Sequence, residues 1–275
     1  MTKENPEELS APYDLSRVHG ANLRILKEID RICRKYGIQY MMDSGTLLGA
    51  VRHQGFIPWD HDIDVLMPVS DVKKLTQYQS EFGKQYFVAN RKTDKDFKSI
   101  ITRIVDRTVE CHVIKEGKII KKSHIFIDVY PFYDCPKTKA GLIFNIWRSH
   151  MYKVLVGGVP QNHGLISKVI SRILLIFFRE KNRERDIRKI EKKMMYKGES
   201  NSIADYYGLD VTFCTAITYD KAWFSKPSKL LFEGCYFDGP TNPDRYLSKR
   251  YGDYMTPPSI QERNKEVKYE LIKKR

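Results

Sequence analysis

Asp60, Asp62 and Asp64 fall at alternate positions of the segment WDHDIDVLMP. Side chains two apart on an extended chain share a face, so a strand over Asp62–Met67 sets Asp62 and Asp64 on one side and turns Ile63 and Val65 into the core. Asp60 keeps that parity but falls in the entry turn, and His61 points the other way. Neighbouring carboxylates repel one another unless a cation lies between them. Oxygen donors of this kind suit Mg2+, with Mn2+ as an alternative. Upstream, Gly45 and Thr46 follow a short run, Ile38 to Met42, and open the helix-like LLGAVR. A glycine there lets backbone N–H groups approach an anion, the helix start favours negative charge, and Thr46 supplies a hydroxyl. Each half alone occurs by chance in many chains. Together, in this order, they predict a phosphoryl- or nucleotidyl-transfer centre.

The elements that must position these residues follow from periodicity. Apolar residues at Val18, Ile25, Ile29, Ile32, Cys33 and Tyr36 predict a helix over 15–36, with Gly37 at its C-terminal cap. After a turn through Gly55 and Pro58 comes the acidic strand, then a helical stretch over 69–82. Strand-like runs follow at 99–105, 110–114, 118–122 and 125–130, with Glu116-Gly117 turning between the second and third. The later chain reads as helices over 140–156 and 166–195, joined through Gly157-Gly158-Val159-Pro160, and a tail from Trp223 rich in Pro, Gly, Tyr and Phe. Helix and strand mixed in this way give an α+β class, divided at 1–135 and 136–275 into a core and a helical, basic region packed on it as one integrated unit.

The segment GTLLGAVRHQGFIPWDHDIDVLMP resembles the signature of the LicD family, bacterial phosphocholine transferases related to fukutin and the fukutin-related protein. FIDVYPF at 126–132 resembles that family's third acidic strand and YLSKRYGDYMTPP at 246–258 its C-terminal motif, so the likeness spans roughly residues 20–265. The resemblance implies a nucleotidyltransferase-like mixed sheet with flanking helices. It implies that Asp62 and Asp64 bind metal, and that Asp128 binds metal or takes the proton of the attacking hydroxyl. Gly45 and Thr46 match the family's phosphate-holding turn, and Arg52 its following arginine. The family most often has an unbroken acidic triplet where this chain has Asp60-His61-Asp62. With His61 out of phase with the ligand pair, activity is expected to survive that change.

Other residues are candidates for substrate contact. Arg103 and Arg263 could each hold a diphosphate by paired hydrogen bonds, against the plainer reading of surface arginines. Trp59, Tyr130, Phe132 and Tyr133 flank the acidic motifs and could cage a quaternary ammonium, although aromatics beside strands are usually core. His53 either donates to a phosphate or ends the helix.

The chain has 275 residues with 48 Lys and Arg against 34 Asp and Glu, a net charge of +14. A hydrophobic fraction of 41% excludes wholesale disorder. Residues 1–135 hold 21 basic and 19 acidic side chains, whereas 136–275 hold 27 and 15. The excess therefore lies away from the acidic motif and suits an anionic partner such as a glycan phosphate or lipid surface; no groove-reading module points to nucleic acid. ISKVISRILLIFF at 166–178 sets Lys168, Arg172 and Arg179 on one stripe beside an apolar face, and the next residues are dense in Lys and Arg. That pattern fits either a membrane-surface helix spanning the 166–197 region or a helix packed on the core. No apolar run reaches 18 residues and MTKENPEELS has no signal-peptide run, which predicts a cytoplasmic protein, peripheral at most on the inner face of the plasma membrane. The five cysteines are odd in number and widely spaced, as in a chain of reduced thiols.

These features lead to an expected function. It is Mg2+-dependent transfer of phosphocholine, or a related phospho-head group, from a CDP-linked donor to a hydroxyl of a cell-envelope glycan, teichoic acid or lipopolysaccharide precursor, which the resemblance implies is carried on lipid. The alternatives are attack on the nucleotide's α-phosphorus, or a basic nucleic-acid-binding or membrane-surface scaffold with an inactive site.

Overall fold

The computed structural model describes residues 15–115, 118–159, 164–178, 180–195, 198–206, 217–263 and 268–272. The chain divides into two compact units, one of Met1–Val88, Arg103–Val129 and Pro227–Arg275, the other of Ala89–Thr102 and Tyr130–Lys226. The architecture is mixed α and β, as the α+β reading expects. Glu116-Gly117, the residues expected to turn between strands, lie outside the described residues.

The first unit begins with α1 (Ser16–Tyr36), whose buried stripe runs Val18, Asn22, Ile25, Ile29, Ile32 and Cys33. Gly37 closes it in the left-handed region, at φ 60°, where a residue with a Cβ is strained. Then come β1 (Met41–Met42), α2 (Ser44–His53), β2 (Asp64–Pro68), α3 (Val69–Gln77) and β3 (Tyr86–Ala89). β4 (Thr102–Lys115) and β5 (Lys118–Asp134) are each one continuous strand where the sequence suggests two. Asp106 explains the first case. It is buried, and its Oδ1 accepts from both the backbone N–H (2.9 Å) and the hydroxyl (2.6 Å) of Thr108, so a polar interruption is carried without leaving the strand.

In this unit the strand order is β1-β2-β5-β4-β10, where β10 is Lys268–Leu271 and β3 pairs separately with β4. β1 and β2 are antiparallel, with Met41 opposite Leu66 and Met42 opposite Val65. β10 runs antiparallel to β4. The tail rich in Pro and Gly contributes a hairpin, β8 (Ser228–Phe232) and β9 (Cys235–Gly239), and a helix, α7 (Pro243–Tyr251). Glu233 (φ 49°) and Gly234 (φ 71°) form the two-residue turn of that hairpin, both with the positive φ of a type I′ turn. Asn242 caps α7 by accepting from the Arg245 N–H, with Pro243 at the first turn, where its missing donor costs nothing.

The second unit holds α4 (Lys139–Gly157), α5 (Leu165–Phe177), α6 (Arg183–Met194), β6 (Ser202–Ala204) and β7 (Thr218–Asp220). The last residues of β5 pair with β6, Tyr133 opposite Ala204. The stretch 166–195, expected as one helix, is broken by a 3-10 turn at Glu180–Asn182. Packing gives the reason. α5 turns Ser171 inward and α6 buries Ile187, Ile190 and Met194. At 100° per residue an unbroken helix would aim those two faces roughly 100 to 160° apart, and the break re-aims the second. Among the described residues Cys33, Cys111, Cys135 and Cys235 carry free thiols; Cys214 lies outside them.

Candidate active site

The acidic segment is pinned from α1 before any of its side chains is considered. His19 donates through Nε2 to the Asp60 carbonyl at 2.6 Å, and Asn22 donates through Nδ2 to the His61 carbonyl at 2.8 Å. The His19 ring stacks on Phe56 at 4.0 Å, which steadies the loop entering the motif. Asn22 is buried on the apolar stripe of α1, a position for a polar residue only when it has backbone to bind.

With the backbone held, Asp60, His61 and Asp62 form a tight group in which one ligand atom from each lies within 4.8 Å of the others. His61 Nε2 is 3.6 Å from Asp62 Oδ2, and the imidazole stacks on Tyr269 at 4.3 Å. Asp62 is the open member, with 47% of its side chain exposed, against 13% for His61. Burial holds the His61 imidazole below its ordinary pKa, with the Asp62 charge acting in the opposite sense. Asp60 turns its carboxylate toward the start of α2: a Cβ added at Gly45 would meet that carboxylate. Glycine at this position thus admits an anion at a helix N-terminus, where the backbone dipoles favour one.

The next carboxylates are set by main-chain bonds between α2, β2 and β5. Asp64 donates its N–H to Thr46 Oγ1 at 2.8 Å, and its carbonyl accepts the Asp43 N–H at 3.0 Å. Asp43 is buried, and its carboxylate accepts from the Ser44 hydroxyl at 3.1 Å and from the Tyr246 phenol. Ser44 itself adopts a positive φ of 48°, a strained conformation for a residue with a Cβ. On β5, Ile125, Ile127 and Val129 are buried and Asp128 falls on the alternate face. Asp128 accepts from Arg103 Nε at 2.7 Å, and the Arg103 guanidinium lies 4.1 Å from the centre of the Phe126 ring.

Electrostatics follow from this crowding. Burial first, then the charges of Asp62, Asp43, Asp128 and Asp60, push the Asp64 carboxyl well above the usual carboxylate range. Asp128 is also raised, because its burial outweighs the charge and hydrogen bond of Arg103. Five carboxylates thus act on one region of the first unit, with Arg103 as a cation paired to one of them.

The C-terminal motif packs against the first motif. Arg52 donates to the Tyr254 carbonyl at 3.0 Å. The Arg263 guanidinium lies 4.0 Å from the centre of the buried Trp59 ring, with Arg52 at 5.9 Å. His53 meets the Trp59 ring edge-on, and burial followed by the Arg52 charge lowers its imidazole to about 4.

Several expectations are placed differently by these coordinates. β2 starts at Asp64, so Asp62 stands in the segment before the strand rather than on its face. His61 is not turned away from the acidic group but belongs to its tightest cluster. Asp64 and Asp128 adjoin that cluster without being part of it. Thr46 is buried with its hydroxyl oxygen bonded to Asp64, and Arg103 is paired with Asp128. Trp59 has Arg263 against its ring. Tyr130, Phe132 and Tyr133 fall in the second unit, where Phe132 packs on Phe224 and Tyr133 on Tyr206 as core contacts. His19, Asn22, Asp43 and Tyr246 were missed. Asn22 left a signal as the polar member of an apolar stripe, whereas Asp43 and Tyr246 are tied only by a bond across the whole chain.

Comparison with known proteins agrees with this geometry. Residues 37–155 match the LicD/FKTN/FKRP nucleotidyltransferase domain. Over 244 residues, 86% of this chain and 89% of the relative, the sequence is 27% identical to the lipopolysaccharide cholinephosphotransferase LicD of Haemophilus influenzae. It is 28% identical over 120 residues to the ribitol 5-phosphate transferase FKRP of Homo sapiens, covering 40% of this chain and 21% of that one. An uncharacterized Rickettsia typhi protein is 32% identical over 127 residues, 44% of this chain and 38% of its own. Residues 37–155, which carry the acidic motif, are thus similar to the LicD/FKTN/FKRP nucleotidyltransferase domain.

Proposed function

We propose that this protein transfers a phospho-head group, phosphocholine or a polyol phosphate, from a CDP-linked donor to a hydroxyl of a cell-envelope glycan. The observation that carries the reading is the convergence of Asp43, Asp60, Asp62, Asp64 and Asp128 on one region, with Asp64 held well above its ordinary pKa by burial first and then by the charges of the others. The likeness to a lipopolysaccharide cholinephosphotransferase over most of both chains supports the choice of group and acceptor.

The donor set fits a divalent cation. Carboxylate oxygens of Asp60, Asp62 and Asp64, with the His61 imidazole beside them, would hold Mg2+ or Mn2+ and so relieve the mutual repulsion that raises Asp64. Bound there, such an ion supplies charge neutralisation to donor phosphate oxygens. In this reading Asp128, which accepts a hydrogen bond from Arg103, takes the acceptor hydroxyl's proton. The acceptor oxygen forms a bond to the distal phosphorus of the donor, the bridging P–O bond breaks, and CMP departs with that electron pair. Gly45 leaves room for the Asp60 carboxylate and Thr46 holds the Asp64 backbone, while Arg52 and Trp59 fix the wall toward the C-terminal motif. A lipid-carried acceptor accords with this chemistry.

The test is to incubate the purified chain with Mg2+, a panel of CDP-linked donors and a glycan acceptor, and to follow CMP. Acceptor-dependent CMP release, lost in Asp62→Asn and in Asp64→Asn, is the expected result. Pyrophosphate or a nucleotidylated product would replace the reading with nucleotidyl transfer, and full activity in either variant would overturn the site.

A further inference from the structure

The second unit presents a helix with a continuous apolar face turned outward. α5 sets Leu165, Ile166, Val169, Ile173, Ile176 and Phe177 outward, with Phe177 77% and Ile176 75% exposed. At 100° per residue these six positions, with Arg172 at the margin, fill one continuous arc of about 140°. The inward side carries Ser171, fully buried, its hydroxyl bonded to the Ser167 carbonyl at 2.7 Å and 3.5 Å from His150 Nε2 on α4, with Leu174 and Leu175 partly buried beside it. A surface helix of a water-exposed protein ordinarily turns so wide an apolar face toward the core.

The following helix supplies the complementary feature. α6 buries Ile187, Ile190 and Met194, and its exposed face is Arg185, Arg188, Lys189, Lys192 and Lys193, again an arc of about 140°. Of its acidic neighbours, Glu184 is drawn off to Arg91 at 2.6 Å, and Asp186 lies 3.3 Å from Arg185, which leaves Arg188, Lys189, Lys192 and Lys193 as the main basic face. An outward apolar helix followed after a five-residue link by an outward basic one has the two components that hold a protein at an anionic bilayer. Apolar burial acts at the acyl boundary, and each Lys or Arg adds attraction to headgroup phosphate. At 13 residues α5 is about 20 Å long, too short to span the hydrocarbon core, and no described helix is long and apolar enough to cross a membrane.

We propose that the α5–α6 segment docks the enzyme on an anionic lipid surface, α5 lying in the interface with Ile176 and Phe177 inserted and the basic face of α6 against the headgroups. This inference stands on exposure and charge in the second unit and does not depend on the reaction assigned to the first. Anionic lipid is favoured over a protein partner because exposed Lys and Arg side chains accompany an exposed apolar face, the charge that complements a field of negative headgroups.

The full-length chain is mixed with vesicles of phosphatidylcholine alone, or of phosphatidylcholine with phosphatidylglycerol, and sedimented. Binding at least about tenfold stronger to the anionic vesicles, weakened by salt, is expected. Ile176→Ser with Phe177→Ser should lose most of that binding while the thermal unfolding curve stays in place, since both side chains are exposed. Lys192→Glu with Lys193→Glu should lose the anionic preference. Emission of a Phe177→Trp variant should move to the blue on adding anionic vesicles. The proposal is overturned if wild type ignores anionic vesicles, if the serine variant binds them equally, or if that variant converts a lipid-free dimer of this chain to monomer.

Discussion

The phenol of Tyr246 donates to the buried carboxylate of Asp43 across 203 positions of sequence, tying the first residue of α7 to reach the site to the residue that precedes α2. A charged acceptor buried without its donor loses on the order of 1.5 to 3 kcal/mol. Tyr246→Phe should therefore lower the melting temperature by roughly 2 to 4 °C per kcal/mol lost. Combined with Asp43→Asn it should cost less than the two changes summed. Additive melting shifts in that double-mutant cycle would refute the coupling.

Asp64 gives a prediction of opposite sign. A carboxyl whose folded pKa is raised contributes stability that is complete below the unfolded value of 3.8 and is lost as pH rises through the folded value. At pH 7 the metal-free protein carries that penalty. Asp64→Asn should melt at or above wild type in EDTA while abolishing turnover. Adding Mg2+ or Mn2+ should raise the wild-type melting temperature and leave the variant nearly unmoved; equal shifts in both proteins would count against a cation at this cluster.

Arg103 offsets the burial of Asp128, so removing it moves the carboxyl further upward. If Asp128 takes the acceptor proton, its basic form then survives only at higher pH. Arg103→Gln should shift the acid limb of the rate profile to higher pH and cost about 2 kcal/mol of stability, because a partly buried charge loses its partner. An unshifted acid limb, read from initial rates across pH, would remove Asp128 from the proton-transfer role.

His53 governs part of the acid sensitivity. Its folded pKa of about 4 lies below the ordinary 6.5, so between those values the unfolded chain binds the extra proton and stability falls as pH drops. The position is half-exposed, and solvent screening keeps the loss well short of full linkage. Melting temperatures at pH 7 and pH 5 should fall further for wild type than for His53→Gln.

Local pattern was enough for the parts of this protein whose stabilising contacts are local. The spacing of Val18, Ile25, Ile29 and Ile32 with Gly37 announced α1, and the Gly45-Thr46 step announced the start of α2. The acidic alternation singled out Asp62 and Asp64, because neighbouring carboxylates need a compensating charge wherever they lie, whereas Asp128 was singled out only by the resemblance of FIDVYPF to a known family's third acidic strand. Sequence could not place Asp62 before the strand, since the boundary depends on where the 62–64 backbone meets β5, as in the Asp128 N–H bond to the Ile63 carbonyl. Nor could it turn His61 into the cluster, pair Arg103 with Asp128, or seat Tyr246 on Asp43. Those are choices among many partners for each polar group, settled only when folding removes water and leaves one geometry that satisfies them together. The composition of α5 was plain from the start, but which face it turned outward was decided by the packing of Ser171 against α4.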